Sequence, residues 1–361
     1  MRILLLGFVR IAHMPYMYDY IELLKEDHEL DLISWNRSGE PDAPLPAGIE
    51  RSWAFNRHIE DAEPLQKKLP RFKQFRDYAL SIIDQRHYDR IVVMHSTPGI
   101  TILDRLLGQY RGRYLLDYRD MTYENHLPYR VLIAKLAEQS GLVLASSPSY
   151  LPYLAKGKEV LIKHNLLEEK AIALDHQPES QPSRIRIRYW GMIRHEQANV
   201  ALLNSVGNDP RFEIHYHGRE EDVARNLRAF CAIHNIENAH FHGSYYAPQR
   251  AAFAAETDLI HNMYENDFAT KQALGNKLYD GIQFEIPQIC TAGSAMGKIV
   301  QDRGIGLAVD YSSPDLADII YDYYRHIDFA DFRQRSRTEL TRILQENRKA
   351  NEAIIDYFSR E

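Results

Sequence analysis

The chain has 361 residues, a formal net charge of −6 and two cysteines, Cys231 and Cys290. That length suits two domains with separate cores, two cysteines exclude a disulfide framework, and mild acidity gives no general attraction for nucleic acid. The apolar run Ile3 to Leu6 is shorter than a signal-peptide core, and no stretch approaches the roughly 20 apolar residues of a membrane span, so a cytoplasmic protein with at most peripheral membrane contact is expected.

In chain order, residues 2–8 (RILLLGF) predict a buried strand, and 16–26 place Tyr16, Tyr20, Leu23 and Leu24 at helical spacing. A strand near 29–34 and a helix near 73–86 follow, then strand 90–95, helix 99–110, strand 113–117, helix 127–139, strand 141–146, helix 148–155 and strand 159–163. Such alternation implies βαβ units on a parallel sheet with right-handed crossovers. Residues 173–184, with two prolines and no periodicity, predict a linker. The rhythm restarts with strand 185–190, helix 196–206, strand 211–217, helix 220–234, strand 239–242, helix 247–255 and strand 257–262. Helix 275–284 and strands 286–291 and 305–309 complete it, and Leu340, Ile343, Leu344, Ala350, Ile354, Tyr357 and Phe358 share one face of a last helix. The expected fold class is α/β, two tandem Rossmann-like domains at 1–172 and 185–340 with a closing segment 341–361. One segment resists: Arg184, Arg186 and Arg188 alternate with Ile185, Ile187 and Tyr189 where a central parallel strand should be apolar on both faces. Either the strand starts later, or one of its faces is polar at a domain junction.

Ligands of open α/β sheets sit beyond the carboxyl ends of the strands. In the first half that rule selects Gly7, His13, His95 and the run Asp117, Tyr118, Arg119, Asp120; in the second it selects Gly191 to Arg194, His217, His242, and Asn262 to Tyr264. Around Gly191 a strand meets a glycine and a helix starts soon after, so backbone can approach an anion closely and Arg194 adds a bidentate phosphate donor; a helix start with a solvated Arg is the plain alternative. Asn276 and Lys277 open a helix, where a cation has the wrong sign for the helix dipole unless an anion lies between them. Asp280, three residues on, shares a face with Lys277. A cation for phosphate and a carboxylate for ribose suit a nucleotide, although an exposed Lys–Asp pair reads equally well.

The run NKLYDGIQFEIPQICT (276–291) resembles the donor-site helix of GT-B glycosyltransferases, especially the family 4-like enzymes of bacterial surface-polysaccharide synthesis. RYWGMIR resembles their strand–glycine–Arg diphosphate loop, LLDYRDM their Asp-x-x-Asp loop, and LIKHN (161–165) their strand before the linker. The resemblance implies a hexosyltransferase of retaining, metal-independent type with a nucleotide-sugar donor, UDP-sugar favoured. Arg194 and Lys277 would hold the diphosphate, Asp280 the ribose, and Gly191, Asn262, Tyr264 and Asn276 would line the donor pocket. The closing helix would cross back onto the first domain. Two positions depart from the family: Asp280 stands where Glu is usual, and Gln272 where many members carry another Glu, with Glu265 or Asp267 as substitutes.

For chemistry, Lys277 and Arg194 would stabilise the departing diphosphate. Asp120 is the first choice for a base on the acceptor side, with His13, His95, Asp117 and Arg119 around it; Asp117 or Asp120 capping the next segment is the alternative. The pairs His215/His217 and His240/His242 invite zinc, but no Cys or carboxylate completes a set, so no metal is expected. Residues 66–76 (QKKLPRFKQFR) mix basic and aromatic side chains and could dock on an anionic membrane carrying a lipid-linked acceptor, or form a solvated helix start. A nucleotide-sugar epimerase and a non-catalytic nucleotide-sugar-binding protein are the rival functions.

Overall fold

The computed structural model describes residues 1–60, 63–166, 182–246 and 249–360. The chain divides into two compact units, Met1–Asn165 with Gln345–Glu361, and Leu166–Leu344. The expected linker 173–184 lies for the most part outside the described residues.

The first unit runs β1 (Arg2–Leu6), α1 (Met17–Leu24), β2 (Glu29–Asn36), β3 (Ile49–Asn56), α2 (Leu65–Arg86), β4 (Arg90–Met94), α3 (Ser96–Thr101), α4 (Leu103–Leu107), β5 (Tyr114–Tyr118), α5 (Leu127–Gln139), β6 (Leu142–Ala145) and β7 (Leu161–Ile162). Its seven strands pair in the order β3-β2-β1-β4-β5-β6-β7, all parallel. β1, β4 and β5 are buried almost throughout, the signature of central strands covered on both faces. At one edge Trp35 stacks on Phe75, centroids 5.1 Å apart, and meets Phe8 and Phe55 edge-on.

The second unit runs β8 (Ile185–Trp190), α6 (Glu196–Val206), β9 (Phe212–His217), α7 (Asp222–Ile233), β10 (Ala239–Phe241), α8 (Gln249–Ala255), β11 (Leu259–Asn262), α9 (Asn276–Gln283), β12 (Gln288–Thr291), α10 (Ala295–Arg303), β13 (Gly306–Val309), α11 (Leu316–Arg325) and α12 (Phe329–Ser359). Its six strands pair in the order β10-β9-β8-β11-β12-β13, again all parallel. The end of α12 belongs to the first unit, where Ala350, Ile354, Tyr357 and Phe358 join the core. Tyr357 Oη donates to Gly112 O at 3.1 Å.

Several expectations are corrected. β3 was missed because only Ile49 and Phe55 of this edge strand are buried, so its sequence does not alternate. α2 starts at Leu65 instead of 73, continuing through Pro70, so all of 66–76 is helical. The helix expected at 99–110 is two short ones broken at Ile102, and 148–155 forms a 3-10 turn, Pro148–Tyr153. α10 contains Gly297, which lowers its helical signal but is required because a Cβ there would collide with Thr291 O. α11 is rich in Ile and Tyr, poor helix formers in isolation; packing on the α6 side of the sheet decides it. α12 begins at Phe329, ahead of the stripe from Leu340 that signalled it.

The arginine-bearing strand starts where expected, and one of its faces is indeed polar. Ile185, Ile187 and Tyr189 enter the core, while Arg186 Nε and Nη2 pair with Asp258 at 2.9 and 3.0 Å and Arg186 N donates to Asp258 Oδ2 at 2.8 Å. The partner is the residue before β11 in the same unit, not a domain junction. Asp258 is fully buried. Asp258→Ala strands a guanidinium and a backbone N–H, and urea denaturation is expected to show a loss of about 2–4 kcal/mol, since Arg186 keeps some water contact.

Candidate functional site

The second unit gathers a basic cluster at the carboxyl end of β8. Gly191 follows the strand with φ +105°, a backbone state that favours glycine. Gly218 lies so close that a Cβ there would overlap Gly191 O, so a second glycine lets the loops after β8 and β9 touch. Tyr189 fastens the 191–194 loop: its hydroxyl donates to Met192 O at 2.7 Å and accepts from Arg194 N at 3.4 Å. The face of the same ring receives Lys277, whose Nζ lies 3.9 Å from the centroid. Arg194 itself is exposed.

Lys277 is the second residue of α9 and only 6% exposed. Its Nζ donates to Tyr264 Oη at 3.4 Å, and among the described residues no carboxylate forms an ion pair with it. Burial pushes its ammonium down to about 7, opposed by the nearby charge of Asp280. Tyr264 is held by its backbone, which exchanges hydrogen bonds with Thr291 Oγ1 at 3.0 and 2.6 Å. Gly275 permits that position, since a Cβ there would strike the Tyr264 hydroxyl. On the other flank the His195 ring stacks on Tyr264 with centroids 4.1 Å apart.

Asp280 is buried one turn along α9. Trp190 Nε1 donates to Oδ2 at 2.7 Å, and Arg250 reaches Oδ1 at 3.4 Å. Burial raises its carboxyl pKa against the opposing effects of Arg250, Trp190 and Lys277. Asn276 is exposed at the start of α9. Asn262 is fully buried and turned toward β12, where it donates to Gln288 Oε1 at 3.1 Å. Glu265 accepts from Gln197 N at 3.0 Å, and Asp267 accepts from Ala269 N and Thr270 N at 2.8 and 2.9 Å, so both suggested substitutes are engaged with backbone. Lys277, Tyr264, Arg194 and Gly191 thus come together, Asn262 is turned away to Gln288 and Met296, and Tyr189, His195, Trp190, Arg250 and Gly275 are the residues that sequence reasoning missed. Tyr189 and Trp190 immediately precede the glycine in RYWG, the one signal that pointed toward them.

The first unit holds a second cluster. Asp117 is buried and accepts from Tyr20 Oη and Arg119 Nε, each at 2.7 Å. Arg119 also binds Asn165 and lies 4.1 Å from the Tyr16 ring centroid. His95 is the left-handed cap of α3, accepting from Thr97 N at 3.2 Å; burial lowers its pKa to about 4, with Asp120 opposing. Asp120 is exposed with φ +41°. His13 lies in a 3-10 turn after β1, its Nε2 3.3 Å from Arg10 Nη2.

The histidine pairs form a stack. His217 lies 4.1 Å from His242 and 4.4 Å from Phe253, ring to ring, and His215 Nδ1 lies 3.0 Å from His242 Nε2. Among the described residues no group of three His, Cys, Asp or Glu side chains is arranged to hold a metal ion.

The sign of the Lys277 effect is testable. Its folded pKa is below the unfolded value near 10.4, so the unfolded chain binds more protons between about pH 7 and 10, and stability rises with pH there. Lys277→Met is therefore expected to stabilise the ligand-free protein. The gain should be larger at pH 7 than at pH 9 by on the order of 2 kcal/mol, read from urea titrations at both pH values.

No protein-family model matches the chain. A curated relative, a V-type ATP synthase subunit of Borreliella afzelii (strain PKo), is 34% identical over 77 residues, 20% of this chain. The chain spans only 37% of that protein's length, and the match assigns no activity. Solved structures are similar over nearly the whole chain. Sucrose-phosphate synthase from Thermosynechococcus elongatus is 13% identical with a TM-score of 0.71, covering 98% of this chain and 99% of its own. WaaG, a glycosyltransferase involved in lipopolysaccharide biosynthesis, is 13% identical with a TM-score of 0.66 over the same shares. A putative UDP-N-acetylglucosamine 2-epimerase from Listeria monocytogenes is 12% identical with a TM-score of 0.60, covering 92% of this chain and 90% of its own. At these identities the likeness is one of architecture: the chain has the two-domain α/β fold of GT-B enzymes, with a C-terminal helix.

Proposed function

We propose that the chain is a glycosyltransferase that moves a hexosyl group from a nucleoside diphosphate sugar, UDP-sugar favoured, to a glycan or lipid-linked acceptor in surface-polysaccharide synthesis. The observation that carries this reading is the buried Lys277 ammonium, unpaired with any described carboxylate, beside the Gly191–Arg194 loop at a strand end. A buried cation without a counter-charge is costly unless a ligand supplies one. The fold likeness to WaaG supports the polysaccharide setting.

As the bond from the anomeric carbon to the diphosphate oxygen breaks, negative charge grows on the leaving group. Lys277 and Arg194 stabilise it by roughly 3 kcal/mol for each well-placed donor, in place of a divalent metal. Tyr264 and Asn276 border the phosphates. Asp280 takes a ribose hydroxyl on Oδ1, where the 3.4 Å contact with Arg250 is loose, while Trp190 anchors Oδ2. We favour retention of configuration, with a leaving phosphate oxygen taking the acceptor proton and Asp120 orienting the acceptor hydroxyl. Inversion would make exposed Asp120 the base. His95, held neutral, Asp117, Arg119 and His13 shape that side.

The likeness to a UDP-N-acetylglucosamine 2-epimerase motivates the second reading, an epimerase, which turns over donor without acceptor. A third, nucleotide binding without turnover, is separated by the same assay. With UDP, GDP and ADP in a thermal-shift panel, a nucleotide at about 100 times its Kd should add about 2.7 kcal/mol of stability. Lys277→Ala should abolish that shift and lower transfer at least about tenfold, with the chelator EDTA without effect. Transfer within about twofold of wild type in the variant would place the donor site elsewhere.

Among the described residues no helix is long and apolar enough to cross a membrane. We propose peripheral contact through α2, where Leu65, Leu69, Lys67 and Lys73 are exposed. The patch is narrower than its sequence suggested: Phe75 is buried, and Arg71 and Arg76 pair with Glu63 and Asp104. Vesicles with anionic lipid should carry the protein upward in a flotation gradient at low salt, and Lys67→Glu with Lys73→Glu should release it. Equal flotation of wild type and variant removes this contact.

A further inference from the structure

Three bases crowd one tyrosine, and among the described residues none of the three forms an ion pair with a carboxylate. Lys277 approaches Tyr264 through its hydroxyl, and His195 stacks on its ring. Arg194 precedes His195 in the chain, and its charge disfavours protonation of both Lys277 and His195. Among the described residues neither Lys277 nor Arg194 has an ion-pair partner, and neither ring nitrogen of His195 makes a hydrogen bond. His195 occupies a left-handed backbone state, φ +64°, at the start of α6, yet its side chain does not cap that helix. Backbone geometry and stacking therefore hold an imidazole in place with both nitrogens free for something else.

We propose that His195 is a third cation of the donor site, neutral while the site is empty and protonated when a diphosphate-bearing ligand is bound, so that the ligand enters together with a proton. This rests on the donor-site reading above. The proton comes from solvent and goes to the free imidazole nitrogen facing the diphosphate. Burial is the main cause holding the empty-site imidazole at about 4, followed by the charges of Lys277 and Arg194. A bound dianion reverses those influences, because it screens both cations and attracts the imidazolium directly.

The surrounding groups do not do this already. Asp267, the acid that favours charged His195, is committed to the backbone of its own turn. Asp280 on α9 is committed to Trp190 and Arg250. His261 on β11 is buried, its Nε2 3.0 Å from Asn199 Oδ1 and its Nδ1 accepting from Met263 N, and burial holds it near 3. Burial likewise pushes the Cys290 thiol on β12 up to about 12, and it raises the Tyr189 and Tyr264 hydroxyls, so all three stay uncharged.

Calorimetric titration with UDP-glucose, whose diphosphate does not titrate near neutrality, tests this directly. Run at about pH 6 in buffers of different ionisation enthalpy, it counts protons taken up per ligand bound. Lys277, held at about 7, is already mostly charged at pH 6 and contributes about 0.1 proton, so uptake above about 0.5 reports His195. His195→Asn retains a residue that tolerates the left-handed backbone but cannot titrate. Uptake in the variant should fall below about 0.2, and of the tightening from pH 7.5 to 6 the variant should keep only the roughly fourfold that charging of Lys277 supplies, while wild type exceeds about tenfold. The wild-type count stands even if the variant folds poorly. Binding without proton uptake, or equal uptake in wild type and variant, overturns the inference and leaves the donor site intact. Failure of UDP-glucose to bind wild type at either pH removes the donor-site reading and this inference with it.

Discussion

The Lys277 ammonium is held by the rings of two tyrosines and the hydroxyl of one, Tyr264, instead of by a carboxylate, and the loops around it are arranged to that end. A cation over an aromatic face recovers about 2 kcal/mol when desolvated, less than the several kcal/mol that burying it costs. The difference is strain stored in the ligand-free protein. Tyr189 serves the loop with its hydroxyl and the lysine with its ring, so loop and lysine cannot be moved independently. Trp190 points to the other face of β8 and binds Asp280, which pins α9 to the strand end. Alternation along one strand thus supplies both supports.

Glycines at three places let these parts approach. Gly191 turns, Gly218 lets two loops touch, and Gly275 leaves room for the Tyr264 hydroxyl. Each serves backbone or ring proximity, and none carries chemistry of its own. The first unit uses the opposite strategy: Asp117 and Arg119 are both buried and neutralise one another, with Tyr20 and Asn165 completing the set. Beside that ion pair in the chain, Asp120 and His95 stand at positive φ.

Much of the fold was legible. α5, β8 and α6 begin and end where the sequence reading placed them, with local signals such as Pro128 in the first turn of α5 and Gly207 at the end of α6. β3 and α11 were not legible, since an edge strand buries too little to alternate and a Tyr-rich helix depends on its neighbours. Arg186 and Arg188 looked anomalous because the acids that answer them, Asp258 and Glu256, lie about 70 residues away. At the candidate site, Lys277, Arg194 and Gly191 were selected from their positions at strand ends and a helix start, and the structure brings them near one another. His195 was overlooked because what singles it out is its stack on Tyr264, a residue distant in sequence.

The sequence by itself determined two Rossmann-like halves, since the period of apolar residues is a local property that each strand and helix carries within itself. It also determined which loops lie at carboxyl ends of strands, and therefore where chemistry can gather. Only the tertiary structure decided the electrostatic state of those groups. Whether Lys277 is a solvated cation or a buried one, whether Asp117 is exposed or neutralised, and whether His195 is free depend on which distant side chains arrive beside them. Burial and pairing are properties of that arrival, and they set the charge.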